Sequence, residues 1–427
     1  MKIILWAINY APESIGIAPF NQELCQHLAT RGHEVSAVSA FAYYPRWEKT
    51  ADDRGRWYRD DVVAGVTVHR CWCHVPAVVT TLRRIAHELS FGASSLLRVL
   101  GLPRADIYIV VSPPLGLGFF AWVATRLKRS RFVFHVQDLQ PDAAVGLGMI
   151  KRGGFTRLLY ALERLAYKKA ARVSGISDGM LAAFARKGVP VQKRALLPNW
   201  LRRPVANTAP MGERAEERRR FGVADGALLA VYAGNLGLKQ SLEIVIEAAV
   251  LLRARPVPAA PVQLIIAGDG AARAGIEAFL RAHPGVAVRL LPLLDDGDYA
   301  ALLAAADLAL ITQSGGSGQY FFPSKLLSVL AAGLPVLAVA DADSELALAV
   351  RAGGFGGVVR PGDAAGLADA LARIAGSRGE LAAWASRTDW VSRFDREEIL
   401  PRFEKWLHEA ARISALKLAS EAKPASA

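Results

Sequence analysis

Phe322-Pro323-Ser324-Lys325-Leu326-Leu327-Ser328-Val329-Leu330-Ala331-Ala332-Gly333-Leu334-Pro335-Val336 is the stretch from which the fold is read. A loop ends at Ser324, a residue type whose side chain caps a helix start, and the helix runs on apolar residues to a stop at Gly333. A buried strand follows from Pro335 to Ala340. The first N–H groups of a helix have no partner in the helix, and its dipole is positive at that end. Ser324 and Lys325 are therefore candidates for holding a phosphate. The same pattern also fits an ordinary αβ unit with no ligand.

Working outward, the same alternation fills the chain. Strands are expected at 2–8, 34–39, 66–71, 107–112, 132–136, 172–176 and 195–197, with helices near 19–31, 81–100, 117–127, 155–169 and 177–187. Short Ile, Val and Leu runs bounded by turns suit a parallel sheet covered on both faces. A linker beginning at Asn199-Trp200 and a charged stretch at 213–220 interrupt the series. A second series then starts, with strands at 228–233, 262–267, 287–291, 308–312, 335–340 and 357–360. The spacing predicts two doubly wound α/β domains, 1–203 and 204–390, and a helical region over 391–427 that returns to the first domain. Two such domains are expected to face a central cleft that takes one ligand.

At 427 residues the chain exceeds one ordinary core, and 52% apolar residues favour globular packing over disorder. Cys25, Cys71 and Cys73 form no disulfide framework, and Cys71-x-Cys73 lacks metal-site spacing, which suits a reducing cytoplasm. The N-terminus reads as a first strand rather than a signal peptide, and no window is apolar enough to span a membrane. Residues 1–205 hold 29 Lys/Arg against 14 Asp/Glu, leaving 23 of the 52 basic and 25 of the 39 acidic residues for the rest. The basic excess thus sits entirely in the first half. It points to an anionic membrane surface or a diphosphate-linked lipid; a nucleic acid ranks last because no binding motif is present.

Several strand exits carry polar or glycine-rich residues. The loop from Asn9 to Pro19 lacks GxGxxG, which removes support for a dinucleotide site, but Gly16 allows a ligand close to the backbone before a helix. His135, Gln137, Asp138 and Asp142 cluster at one strand end, where α/β sites collect. Gly234, Asn235, Gly237 and Lys239 follow the first strand of the second series. Gly268-Asp269-Gly270 and Ser314-Gly315-Gly316 are further exits that also suit plain turns.

Together these segments resemble glycosyltransferase family 4, the retaining enzymes of the GT-B fold. The resemblance spans nearly the whole chain. It takes in Pro12 to Gly16, Arg31-Gly32-His33-Glu34-Val35, the His135 segment, Leu197-Pro198-Asn199, Gly234 to Lys239, Ala267-Gly268-Asp269-Gly270, Ala305-Ala306-Asp307, Ala332-Gly333-Leu334-Pro335-Val336 and Arg360-Pro361-Gly362-Asp363. The His135 segment and Pro323-Ser324-Lys325-Leu326 look like the branch that makes bacterial exopolysaccharide and O-antigen units, the colanic-acid-type transferases in particular.

The resemblance implies a hexose transferred with retention from a UDP- or GDP-linked sugar. His135 would contact the sugar hydroxyls, and Lys239 would neutralise the leaving phosphate. Gly16, Asp138, Gly234, Asn235, Gly268, Asp269, Ser324, Lys325 and Ser328 would bind the donor. Two departures stand out: the family's paired glutamates fall on Tyr320 and Ser328, and its diphosphate arginine on Asn235. The acceptor implied is a polyprenyl-diphosphate-linked glycan or a polysaccharide at the inner membrane, with the enzyme cytoplasmic and peripherally attached. No Asp-x-Asp element or convincing ligand set calls for a metal, and no other cofactor is implied. Two other readings compete: a GT-B-like sugar-nucleotide epimerase and a non-catalytic sugar-nucleotide-binding subunit.

Overall fold

The computed structural model describes all residues except 14–15, 147–149, 151–152, 202–210, 256–260, 317, 319–324 and 422–427, and the side chains at 211–212, 238, 388–389 and 412–421. It divides into two compact units, Met1–Asn199 with Arg396–Ala427, and Trp200–Asp395. The division thus falls a few residues before the first boundary expected from sequence and a few residues after the second. None of the described helices is long and apolar enough to cross a membrane.

The first unit holds β1 (Lys2–Trp6), β2 (Glu34–Ala40), β3 (Tyr58–Val63), β4 (Val66–Cys71), β5 (Ile107–Ser112), β6 (Phe132–Val136), β7 (Arg172–Gly175) and β8 (Arg194–Leu196). They form one sheet in the order β3-β4-β2-β1-β5-β6-β7-β8. All neighbours are parallel except β3 and β4. Every residue of β5 and β6 is buried, as expected where helices cover both faces. The direction of growth reverses between β1 and β5.

Sequence reading missed β3, because Tyr58-Arg59-Asp60-Asp61 looks like a solvated charge cluster. It is an edge strand folded back on β4 through Ala64 and Gly65, both at positive φ (49° and 80°), a turn that brings the strands into antiparallel register. Its carboxylates pair across the strands, Asp61 with Arg70 at 3.0 Å and Asp60 with His69 at 2.8 Å, and Asp61 also meets Arg59 on its own strand at 2.7 Å. Charge on an edge strand is compatible with pairing and discourages further strand addition.

The C-terminal helix, Arg396–Glu421, belongs to this unit. Ile399, Leu400, Phe403, Trp406, Leu407 and Ala410 are buried, and their spacing forms one helical face. On the same helix Glu404 meets His33 at 3.0 Å, Arg31 at 3.2 Å and His27 at 3.6 Å.

The second unit holds β9 (Leu228–Ala233), β10 (Val262–Ala267), β11 (Val288–Leu291), β12 (Leu308–Thr312), β13 (Val336–Val339) and β14 (Gly356–Val359). The sheet runs β11-β10-β9-β12-β13-β14 and is parallel throughout. Helices bury Leu, Ile, Val and Ala on both of its faces. The chain builds outward from β9 to β11, then returns to the other side of β9 with β12. The carboxyl ends of β9 and β12 therefore flank the switch point, where open α/β sheets bind ligands.

Asp307 anchors the start of this arrangement. Its carboxylate accepts the Leu229 N–H at 2.8 Å and pairs with Arg214 at 2.5 Å, Arg218 at 3.1 Å and Arg378 at 3.2 Å. Holding the first residues of β9 fixes where the strand's far end emerges.

Candidate functional site

At the carboxyl end of β9 the chain turns through Gly234 at a φ of +135°, with its N–H bonded to Ala267 O at 2.9 Å. Leu236 N–H reaches Asp269 O at 2.8 Å, and Ala272 N–H returns to Leu236 O at 2.8 Å. These bonds lock the β9 exit against the β10 exit. A Cβ on Gly268 would lie 1.8 Å from Gly234 O, and one on Gly270 would lie 2.7 Å from Asn235 Oδ1. Glycine is required at both because two backbones touch there. Across the switch point, Ser314 N–H bonds Lys239 O at 2.9 Å, joining the β12 exit to the same turn.

Lys325 is the first residue of the described helix Lys325–Ala331 and points back toward this turn. Its Nζ lies 3.8 Å from the centre of the Tyr232 ring and 3.3 Å from where a Gly234 Cβ would stand. The stem of the side chain is partly exposed, but Nζ is sealed from solvent and has no hydrogen-bond partner. Burial, and after it the charge of Lys239, pushes the Lys325 ammonium down to about 7. Four other buried polar atoms at the same strand ends lack partners: Gln240 Oε1, Thr312 Oγ1, and both Gln313 amide atoms. Buried polar atoms are nearly always paired, so these atoms are open to partners from outside the protein.

The second unit thus brings together Gly234, Asn235, Lys239, Gly268, Asp269 and Lys325. Ser328 lies one turn along the helix from Lys325, and its hydroxyl is 2.8 Å from Tyr299 Oη. Ser324 and Tyr320 lie outside the described residues. The described helix has only seven residues, and the Lys325 side chain turns back toward the Gly234 turn. The Gln240, Thr312 and Gln313 side chains were not singled out from sequence. Their positions just past two apolar strands are the signal that could have found them.

In the first unit Gly16 is exposed at a φ of +69°, just before the helix Ala18–Thr30. Nearby Glu13 is buried and accepts the N–H groups of Tyr43 and Tyr44, each at 3.0 Å, tying the β1 exit to the β2 exit. His135 lies on β6 with its side chain 4% exposed, its ring against Phe403 of the C-terminal helix. Nδ1 is 2.8 Å from Ser174 Oγ, and Nε2 is 2.8 Å from the Gln137 amide nitrogen. The amide donates, so Nε2 accepts and Nδ1 carries the proton. Burial pushes the imidazole down to about 4, so it is neutral at ordinary pH.

Both ring nitrogens of His135 have partners within the protein, and the imidazole ties β6 to β7. Asp138 follows at the strand exit, half-buried. Asp142 pairs with Lys187, which also holds Glu163 at 2.7 Å.

The three cysteines are free and buried, and burial pushes each thiol up to about 12, which leaves them inert. Among the described residues, His33, Glu404 and His408 come close enough to suggest a metal. They lie by the amino-terminal end of β2, at the opposite edge of the sheet from the strand exits, and Arg31 already pairs with that carboxylate.

Comparison with known proteins agrees with this architecture. The family described as "Glycosyl transferase 4-like domain" matches residues 16–200, and "Glycosyl transferases group 1" matches residues 227–377. A curated Escherichia coli K12 protein, "Putative colanic acid biosynthesis glycosyl transferase WcaI", is 33% identical over 351 residues, covering 81% of this chain and 85% of that one. Among solved structures, sucrose-phosphate synthase from Thermosynechococcus elongatus superposes with a TM-score of 0.72 at 16% identity, over 95% of this chain and 98% of that one. Anabaena Alr3699/HepE in complex with UDP-glucose gives 0.69 at 17% identity, over 96% of this chain and all of that one.

Proposed function

The chain belongs to glycosyltransferase family 4 and has the GT-B fold, and on that premise we propose that it transfers a hexose from a nucleotide-diphosphate sugar during assembly of a cell-surface polysaccharide. The observation that carries this reading is the turn at the β9 exit, where tightly packed glycine backbone meets Lys239 and Lys325 at a sheet switch point. Such a place suits a diphosphate. Alr3699/HepE has been solved with UDP-glucose, which supports a nucleotide sugar as the donor here.

In the proposed reaction the bond between the anomeric carbon and the diphosphate oxygen breaks as an acceptor hydroxyl adds to that carbon. The acceptor's proton passes to the departing diphosphate. Positive charge builds on the sugar and negative charge on the leaving group, so a preorganised cation at the diphosphate lowers the barrier. Lys239 supplies that cation without a metal, and the new bond forms on the face from which the old one left.

The proposed acceptor is a polyprenyl-diphosphate-linked glycan at an anionic membrane surface. The helix Thr81–Gly101 supports the membrane part of this reading. Leu82, Ala86, Leu89, Ala93 and Leu97 are exposed along one stripe, with Arg83 and Arg84 exposed beside it. An apolar stripe edged by arginine suits the headgroup boundary of an anionic bilayer.

The test is a panel of UDP- and GDP-sugars incubated with the protein and a membrane-lipid extract. Release of nucleoside diphosphate together with a glycosylated lipid is the expected result, retained in the presence of EDTA. An altered sugar nucleotide formed without acceptor would identify an epimerase. Binding without release would identify a non-catalytic subunit.

A further inference from the structure

We infer that His33, Glu404 and His408, with His27 as the fourth ligand, form a site for one divalent transition-metal ion of the zinc class, which clasps the C-terminal helix to the rest of the first unit. The inference is independent of the transferase reading.

The cluster is assembled from three places in the chain. His27 stands in the last turn of the helix Ala18–Thr30, and His33 in the turn that leads into β2. Glu404 and His408 are one turn apart on the C-terminal helix and so share one of its faces. Three of the chain's eight histidines thus meet one carboxylate. Measured from its oxygens, Nε2 of His33 is 3.0 Å away, that of His27 3.6 Å and that of His408 4.0 Å. A tetrahedral ion with bonds of about 2 Å holds its ligand atoms about 3.3 Å apart. The donor atoms of His33, Glu404 and His408 all lie within 4.8 Å of one another, and the two rings are 5.3 Å apart at their centres. Modest side-chain rotation closes the difference.

Hydrogen bonding within the protein accounts for only part of this arrangement. His33 and Arg31 bond the carboxylate and answer its charge. His27 Nε2 is sealed from solvent yet makes no hydrogen bond, and His408 Nε2 stands too far from Glu404, at 4.0 Å, to make one with it. A neutral imidazole nitrogen offers a lone pair, so this set fits a cation. Imidazoles with one carboxylate suit zinc and its neighbours, whereas magnesium and calcium take oxygen ligands. Arg31 does not block the site. Oε1 is the oxygen that faces His33 and His408, and Arg31, 63% exposed, holds Oε2. Sequence spacing hid the set, because 371 positions separate His33 from Glu404. An ion there ties the two ends of that span, so its binding energy adds to the stability of the first unit.

The experiment uses the full chain without a histidine tag, stripped of metal by a chelator and titrated with zinc chloride in a calorimeter, with thermal melting in parallel. One Zn²⁺ per chain is expected, with a melting temperature that rises with Zn²⁺ concentration. Co²⁺ in its place should give the visible absorption of a tetrahedral site. His408→Ala and His27→Ala should each weaken Zn²⁺ binding by at least about tenfold and remove most of the rise in melting temperature. His74→Ala, at an exposed histidine elsewhere, should do neither. Without metal both cluster variants should melt close to the parent, since the His408 side chain is 43% exposed and His27 Nε2 bonds nothing. Because the cluster sits by the amino-terminal end of β2, chelation should leave nucleoside diphosphate release unchanged below the melting temperature. Absence of Zn²⁺ binding at micromolar concentration, or equal binding by the parent and both cluster variants, would overturn the inference.

Discussion

Gln137 and Asn199 grip each other through both ends of their side-chain amides, with hydrogen bonds of 3.0 and 2.9 Å. Gln137 also donates to His135 Nε2, whose other nitrogen reaches Ser174. One buried chain of bonds therefore joins β6, β7 and the exit of β8. A network of this kind costs most when it is half broken.

Replacing Asn199 with Leu should therefore destabilise the protein by about 1–3 kcal/mol, since it strands the Gln137 amide in a buried site. Urea unfolding measures this, and an unchanged midpoint would show that the network is not needed.

His135 gives a pH signature. Its folded value of about 4 lies below the ordinary 6.5, so the unfolded chain takes up the proton first as pH falls. Its contribution is fully present above about pH 6.5 and is lost on going down to about pH 4, worth at most about 3 kcal/mol. Buried His87, also near 4, acts in the same direction. Ring NMR should find His135 neutral at pH 5.5; a charged ring at that pH is incompatible with the buried network.

Lys239→Ala should lower turnover by about 100- to 1,000-fold, the loss seen when one preorganised electrostatic group is removed from a transition state. Nucleoside diphosphate release under saturating donor reads it directly, and near-normal turnover refutes the role.

Attachment to anionic lipid should depend on the exposed stripe of Thr81–Gly101, where Leu82 is 79% and Leu97 66% exposed. Leu82→Asp should weaken vesicle binding by about tenfold, and raising salt should weaken it for the unsubstituted protein as well. Vesicles containing phosphatidylglycerol, sedimented with the protein at low salt, provide the assay. Absence of binding there rules the surface out.

Asp307→Ala should destabilise the second unit by about 1.5–3 kcal/mol, because three arginines and the Leu229 N–H lose one shared acceptor. Denaturation followed by tryptophan fluorescence tests it. A loss below 0.5 kcal/mol, the range of ordinary surface changes, would make the cluster a surface feature.

Ile107–Ser112, Phe132–Val136, Leu228–Ala233, Val262–Ala267 and Leu308–Thr312 are strands whose ends can be read from the chain itself, because an uninterrupted apolar run bounded by turns has few other solutions. Gly333 marks a helix stop in sequence and stands at a φ of +71° in the fold. Tyr58–Val63 was hidden because its stability comes from Arg70, His69 and Arg98, which reach it from other elements.

The amino-acid order by itself determined the two parallel αβ sheets and the glycine turns at their strand ends, since burial pattern and backbone freedom are local properties. Which polar side chains stand unpaired was decided only by tertiary structure. Lys325 and Lys239 are 86 positions apart in the chain, and His135 and Asn199 are 64 apart. Desolvation and hydrogen-bond partners depend on what the fold packs against each group, and this left the Lys325 ammonium without a hydrogen-bond partner and gave the His135 ring two.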